Sequence, residues 1–438
     1  MSIKGGRLST VRLLTVDCYL KSYLKTTMKK NYYEVFHSGA KGWIALIVLL
    51  AIQACGGGGE TNQTSNTQDT TTNTTQDSAK ANTPQPQAPK VDAKLTAHAY
   101  LFAGLTPDDK AGMDSVFDQS GAKNHMNAFG QQWGKLENAR LKKMRTWRGT
   151  ELVKLNGESH NLFYPFSGPD FINAYEFFPN CDNYLMFGLE KVGNLPDFSQ
   201  EKAGFVTNYL GSVRNALGEI FQRNYFITTI MGSELNSNVQ GVVPLMLTFL
   251  ARTNNQIVKV EKIQLQSDGT PKSFPLSEKL NPKTSVVGLM VEFLGKGKTK
   301  SQKIYYFGTD VRDAEMPKKM ELSKFIKNFP NKISFVKSCQ YTLHESQFKV
   351  MRNLILDDTE AVLQDDTGVR YEVLKEQGWK VQLYGKYNWP IADFGKYTYQ
   401  PKLKKAFADD STAKPLNFTY GYHWNTDNTS VILAFKQK

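Results

Sequence analysis

Apolar residues recur along this chain at two interleaved periods. Met126, Phe129, Trp133 and Leu136 follow a three-to-four spacing, and Met144 rejoins them after a drift in phase. Lys135, Arg140, Lys142 and Lys143 fall off that stripe. Such a pattern puts apolar side chains on one helix face and charge on the other, so it predicts a long amphipathic helix. Phe205, Tyr209, Val213, Leu217 and Phe221 predict a second, opened by Ser199-Gln200-Glu201. A third is expected over 347–356, with Phe348, Met351, Leu354 and Ile355 inward.

Strand patterns are as clear. Ile257, Val258, Val260, Ile263 and Leu265 form a β-rich run that Ser267-Asp268-Gly269 stops. Stretches 286–294 and 304–307, joined by Gly295-Lys296-Gly297-Lys298, predict a hairpin. Stretches 361–364 and 369–373 around Asp365-Asp366-Thr367-Gly368 predict another, and 379–384, 416–422 and 431–435 complete a strand-rich end. Since few strands alternate strictly with helices, the expected class is α+β with a mainly antiparallel sheet and several amphipathic helices. Three stretches share the order helix, polar turn, strand: 170–178 with 184–189, 347–356 with 361–363, and 242–250 with 257–260. That order is common by coincidence; as a repeat it makes the body a set of helix–strand units sharing one sheet.

The chain ahead of these elements has another character. Trp43 to Ala54 is a twelve-residue apolar run interrupted only by Gln53, with Lys29, Lys30 and Lys41 before it and Cys55 after it. A helix needs roughly 20 residues to span a bilayer, so the run suits the core of a signal peptide. Ile52-Gln53-Ala54-Cys55 resembles the lipobox of bacterial lipoproteins. The resemblance implies cleavage after Ala54 and lipid attachment, of the palmitate type, to the Cys55 sulfur. It also implies an envelope location, at the outer membrane, because Gly56 stands where some inner-membrane lipoproteins carry aspartate. Signal peptides run roughly 15–30 residues, so translation is expected to start at Met28. Residues 1–27 are then a mis-assigned extension, and 28–54 are the signal peptide. From Cys55 to residue 90 the chain is rich in Gly, Thr, Asn, Gln and Pro, with no aliphatic larger than alanine. Such a segment cannot bury enough apolar surface to offset its ordering entropy, so a tether is expected. The folded body is 91–438.

The 438 residues, 40% of them hydrophobic, exclude a wholly disordered chain, and four scattered cysteines exclude a disulfide-framework fold. Residues 1–54 hold eight Lys/Arg and two acids, six of the thirteen net positive charges, which leaves +7 for the rest. That mild excess does not argue for a nucleic-acid partner.

Chemistry is harder to find. No GxSxG, HExxH, phosphate-loop or strand-following GxGxxG motif occurs. The body's histidines are His98, His125, His160, His344 and His423, none within four positions of another, so no metal or cofactor is expected. The densest constellation is Tyr164-Pro165-Phe166-Ser167-Gly168-Pro169-Asp170-Phe171 through Asn180-Cys181. Either Ser167 or Asp170 faces a pocket beside His160, or Ser167 caps a helix with Pro169 at its first position and the aromatics are core. With Gly188-Leu189-Glu190, this stretch is similar to one found in uncharacterised bacterial envelope proteins, a resemblance that brings no function. Asp365 and Asp366, with His344, are the further acid/base candidates, although turn chemistry also explains the aspartates. Trp379, Tyr384, Trp389, Tyr422 and Trp424 are candidates for stacking on a sugar ring or a partner surface, or for filling the sheet core. Cys181 and Cys339 either pair or stay buried and free. Two function classes remain: a membrane-tethered binding or assembly module with a glycan or envelope-protein partner, and a tethered hydrolase using carboxylates on a cell-wall or exogenous polymer.

Overall fold

The computed structural model describes residues 89–158, 160–198, 203–226, 228–391 and 398–437. Ten strands share one sheet: β1 (Asn161–Tyr164), β2 (Asn183–Gly188), β3 (Asn255–Leu265), β4 (Pro271–Pro275), β5 (Val287–Gly295), β6 (Gln302–Gly308), β7 (Lys332–Val336), β8 (Thr359–Gln364), β9 (Lys380–Gly385) and β10 (Ser430–Phe435). Their order is β4-β3-β5-β6-β2-β1-β7-β8-β10-β9. Helices and strands coexist, and five of the nine strand pairings are antiparallel, so the fold is α+β with a mainly antiparallel sheet. The antiparallel pairings sit on the two flanks. Between them β6, β2, β1, β7 and β8 run parallel.

The parallel middle is the most deeply covered part of the sheet. Every residue of β1 and β7 is buried, as expected of strands covered on both faces. Alternation then divides the core. Leu162, Tyr184 and Phe335 pack on one face with the helices Ala93–Phe102, Phe171–Phe177 and Val243–Arg252. Phe163, Leu185 and Val362 pack on the other with Leu322 and Phe325 of Met320–Lys327, and with Met351 and Ile355 of Lys349–Asp358. Three of these helices are crossovers between parallel strands: Phe171–Phe177 from β1 to β2, Met320–Lys327 from β6 to β7, and Lys349–Asp358 from β7 to β8.

Several local expectations change. The long helix exists as Ser120–Leu136 and Lys142–Glu151, with a π-helical turn at Glu137–Leu141 between them. That wider turn is the physical cause of the drift at Met144. The second helix breaks into Ala203–Ala216 and Gly218–Arg223; its expected opening at Ser199–Glu201 lies outside the described residues. The first hairpin forms as β5 and β6. The second does not. Val369 follows a buried loop and Tyr371–Glu376 is a helix, while β10 supplies the antiparallel neighbour of β8. The Gln364 side chain explains the difference: its amide bonds the Val369 carbonyl at 2.6 Å and its oxygen accepts from the Val369 N–H at 2.9 Å, holding the chain in a tight β–α loop. Stretch 416–422 is irregular rather than a strand, with Phe418 and Tyr420 pushed into the core. Of the three helix–strand stretches, two end in central parallel strands and the third ends in the antiparallel flank. Cys181 and Cys339 are both buried and unpaired.

Candidate functional site

Parallel strands deliver their carboxyl ends to one edge of a sheet. The loops after β1, β2, β6 and β7 meet at that edge around a cavity of about 320 Å³. β1 is the switch point: the chain returns to β2 on one side of it and β7 lies on the other. Open sheets of this kind bind ligands at such a point.

The loop after β1 turns with two residues in the left-handed region, Phe166 at φ 61° and Gly168 at φ 51°. Ser167 does not cap the following helix. Its hydroxyl lies 3.0 Å from both the N–H and the carbonyl of Phe187, stapling this loop to β2. The cap is Asp170, and the helix begins after it at Phe171, so Pro169 precedes the cap. Asp170 Oδ1 accepts from the Asn173 N–H and amide, and Oδ2 accepts from the Tyr164 hydroxyl at 3.0 Å. The same Oδ2 is 2.8 Å from Lys337 Nζ, at the end of β7, with both side chains buried. Lys337 also donates to the Asn224 carbonyl, where the helix Gly218–Arg223 ends in a left-handed residue. Burial, then the Asp170 carboxylate, holds the Tyr164 hydroxyl protonated far above its ordinary range.

Glu190 comes from the loop after β2. Its Oε2 accepts from the Leu189 N–H at 3.1 Å and lies 3.2 Å from the Tyr306 hydroxyl, whereas Oε1 has no hydrogen bond among the described residues. The approach is close: a Cβ on Gly188 would stand 2.6 Å from Glu190 Oε2, 2.7 Å from the Tyr306 oxygen and 2.8 Å from Gly168 Cα. At the rim Asp310 takes Arg312, and Lys319 ties Thr309 to the Asp310 carbonyl.

The loop after β7 is strained, with Ser338, Gln340 and Tyr341 all at φ between 53° and 57°. Backbone held in sparsely populated regions clusters at functional sites. Asp365 and Asp366 hold this loop from behind without lining the cavity. Asp365 Oδ2 accepts from the Ser338 N–H at 2.9 Å and Oδ1 from the Thr367 N–H at 3.0 Å. Asp366 accepts from the Tyr341 hydroxyl at 2.6 Å and faces His423 at 3.1 Å. Burial, then the neighbouring Asp366 charge, raises Asp365 to about 6. Cys339 also lines the cavity, but burial pushes its thiol up to about 12. The Ser338 hydroxyl is buried with no hydrogen-bond partner, so no base stands ready to activate it.

Of the sequence candidates, Ser167, Asp170 and Tyr422 reach the cavity. His160 does not: it precedes β1 at the opposite end of the strands, with Glu158 and Glu360 at 3.8 and 3.9 Å. His344 sits in a short turn after β7, its two nitrogens buried without partners, and burial followed by the Arg370 charge lowers it to about 4. Trp379 and Tyr384 are buried core residues, and Tyr384 bonds Glu151. Trp389 is exposed and stacks beside Tyr399, while Trp424 is exposed at a second cavity. Cys55 lies outside the described residues. Among the described residues no group of three or more His, Cys, Asp or Glu could hold a metal ion. None of the helices there is long and apolar enough to cross a membrane. Sequence reasoning missed Lys337, Asn224 and Ser338, and it picked out Glu190 without giving it a role. The available signal was position: Lys337 and Glu190 each follow a short apolar run directly.

No family model, curated protein or solved structure matches the chain.

Proposed function

We propose that this chain is a lipid-anchored envelope protein whose body is a binding module, and that its ligand is a nucleoside seated at the carboxyl ends of β1, β2, β6 and β7. The anchor rests on the lipobox-like Ile52-Gln53-Ala54-Cys55 and the apolar run before it. It puts the body at the outer membrane, and the mild charge of the mature chain gives no reason to invoke nucleic acid.

One observation carries the ligand: Glu190 Oε1, without a partner among the described residues, in a switch-point cavity. In dinucleotide-binding sheets an acid about 20 residues past the glycine turn bonds the ribose hydroxyls. Here Gly168 and Glu190 are 22 positions apart at the ends of adjacent parallel strands. Phe166, Tyr225, Phe226 and Phe348 offer apolar walls for a base. The helix after β1 is unavailable to phosphate, because Asp170 already caps it and Lys337 neutralises Asp170. That argues for a nucleoside without a phosphate at this point, such as adenosine or S-adenosylmethionine. The hydrolase reading has less behind it, since the oxygens of Asp170, Asp365 and Asp366 are all engaged within the protein.

Calorimetric titration of the full chain with adenosine, S-adenosylmethionine, NAD and ATP tests the reading. The first two should bind more tightly than the phosphorylated pair. Glu190→Gln should weaken them about tenfold or more, as loss of a hydrogen bond to a charged group does. Equal affinity in that variant, or no binding of any of the four, sinks it.

A further inference from the structure

A second cavity of about 280 Å³ is lined by Arg140, Gln222, Arg223, Thr419, His423 and Trp424. None of the six is acidic. Arg140 is 9% exposed, its side chain makes no hydrogen bond or ion pair among the described residues, and its Nη1 is buried without a partner. A guanidinium carries five donors and stays charged, so burying it unpaired is costly and calls for an oxyanion. Burial lowers Arg140 to about 10, well above neutrality, and the nearby Asp170 charge is already taken by Lys337. Arg140 belongs to the π-helical turn Glu137–Leu141, where the Lys142 N–H bonds the Glu137 carbonyl. Such turns, one residue wider than an α turn, are frequent at functional sites. Here the turn sets Arg140 on the buried side of a helix whose lysines, Lys135, Lys142 and Lys143, face out.

The remaining walls fit the same chemistry. Arg223 is about one-third exposed, pairs with Glu219 at 2.9 Å, and lies 5.1 Å from the exposed Trp424 ring. Gln222 and Thr419 add side-chain donors. His423 is a wall rather than a ligand, its two nitrogens lying 3.1 Å from Asp366 and from Asn428. We propose that this cavity is a binding site for a phosphate group, with Arg140 as the buried anchor and Arg223 as the second cation.

The test is thermal-shift and calorimetric titration of the full chain with inorganic phosphate, with chloride at matched ionic strength as control. Phosphate should bind saturably and raise Tm where chloride does not. Arg140→Met should unfold no earlier than wild type without phosphate, because it removes a buried unpaired charge, and should weaken phosphate about tenfold or more. Should Arg140→Met fail to fold, Arg223→Gln, at a position about one-third exposed, should weaken phosphate about fivefold. Glu190→Gln should leave phosphate binding unchanged, which separates this site from the nucleoside cavity. A response equal to that of chloride, or unchanged phosphate affinity in the foldable arginine variant, overturns the proposal.

Discussion

Lys337 Nζ stands 2.8 Å from Asp170 Oδ2, a buried ion pair that ties the end of β7 to the helix start after β1. β1 and β7 are adjacent parallel strands, so the pair spans the switch point of the sheet and forms the floor of the main cavity.

Removing one partner of such a pair leaves a buried charge uncompensated. Lys337→Met should therefore destabilise the chain by about 3–5 kcal/mol. Asp170→Asn added to it keeps the helix cap and removes the stranded charge, so the double variant should recover at least half of the loss. Urea unfolding followed by circular dichroism measures both. A double variant no more stable than Lys337→Met would show that the charge itself matters little.

Gly188→Ala should be harmful through space alone. The added methyl would press on Glu190, Tyr306 and the Gly168 backbone at 2.6–2.8 Å. Overpacking of this kind costs about 1–3 kcal/mol, and by pressing on Oε2 it displaces the Glu190 carboxylate whose Oε1 is open to a ligand. Reduced nucleoside affinity together with a lower urea midpoint is the expected outcome; wild-type values for both would show that Glu190 is free to move.

Acid should weaken the fold through His344 and His125, both lowered to about 4 mainly by burial. A depressed folded pKa contributes stability that is present above the unfolded value near 6.5 and is lost as pH falls through about 4. The limiting loss is about 3 kcal/mol for each imidazole. Asp365, raised to about 6, works the other way in that window. His423 acts above that window: burial lowers it, but the bond and charge of Asp366 outweigh burial and raise it, so its contribution is complete below about 6.5 and lost as pH rises past that value. The clean measurement is a difference: between pH 7 and pH 4, His344→Phe should lose less stability than wild type. Parallel pH profiles would remove His344 from the account.

Cys55→Ser should leave residues 91–438 folded while releasing them from the membrane fraction or stranding them as uncleaved precursor. Each buried methylene of an acyl chain contributes roughly 0.8 kcal/mol, so loss of two chains abolishes stable anchoring. Detergent-phase partitioning reads this directly, and unchanged partitioning and maturation would end the lipoprotein reading.

What could be read in advance was local. Asp170 announced a helix start because Pro-Asp before an apolar stretch is a short-range signal, and β5 and β6 were plain from their glycine-rich connection. Lys337 could not be matched to Asp170, since their contact exists only once β1 and β7 lie side by side. Asp365-Asp366-Thr367-Gly368 looks like a hairpin tip in composition. It is a buried β–α loop because Gln364, Ser338 and Tyr341 satisfy its polar groups from residues far along the chain or hidden within the strand. The hydrophobic alternation of a strand is likewise blind to direction, so the parallel middle of the sheet left no mark that distinguished it from its antiparallel flanks.

The π turn at Glu137–Leu141 bears on how the chain tolerates changes in its own length. A π turn takes up one residue more than an α turn while the helices on its two sides stay in phase, so deleting one residue there would close the segment into uninterrupted α geometry with Leu136 and Met144 still on one face. What a shortened chain gives up is the turn itself, which holds Arg140 and Leu141 buried side by side. Loss of one residue here should therefore spare the packing of the flanking helices and fall on the buried cation of the second cavity.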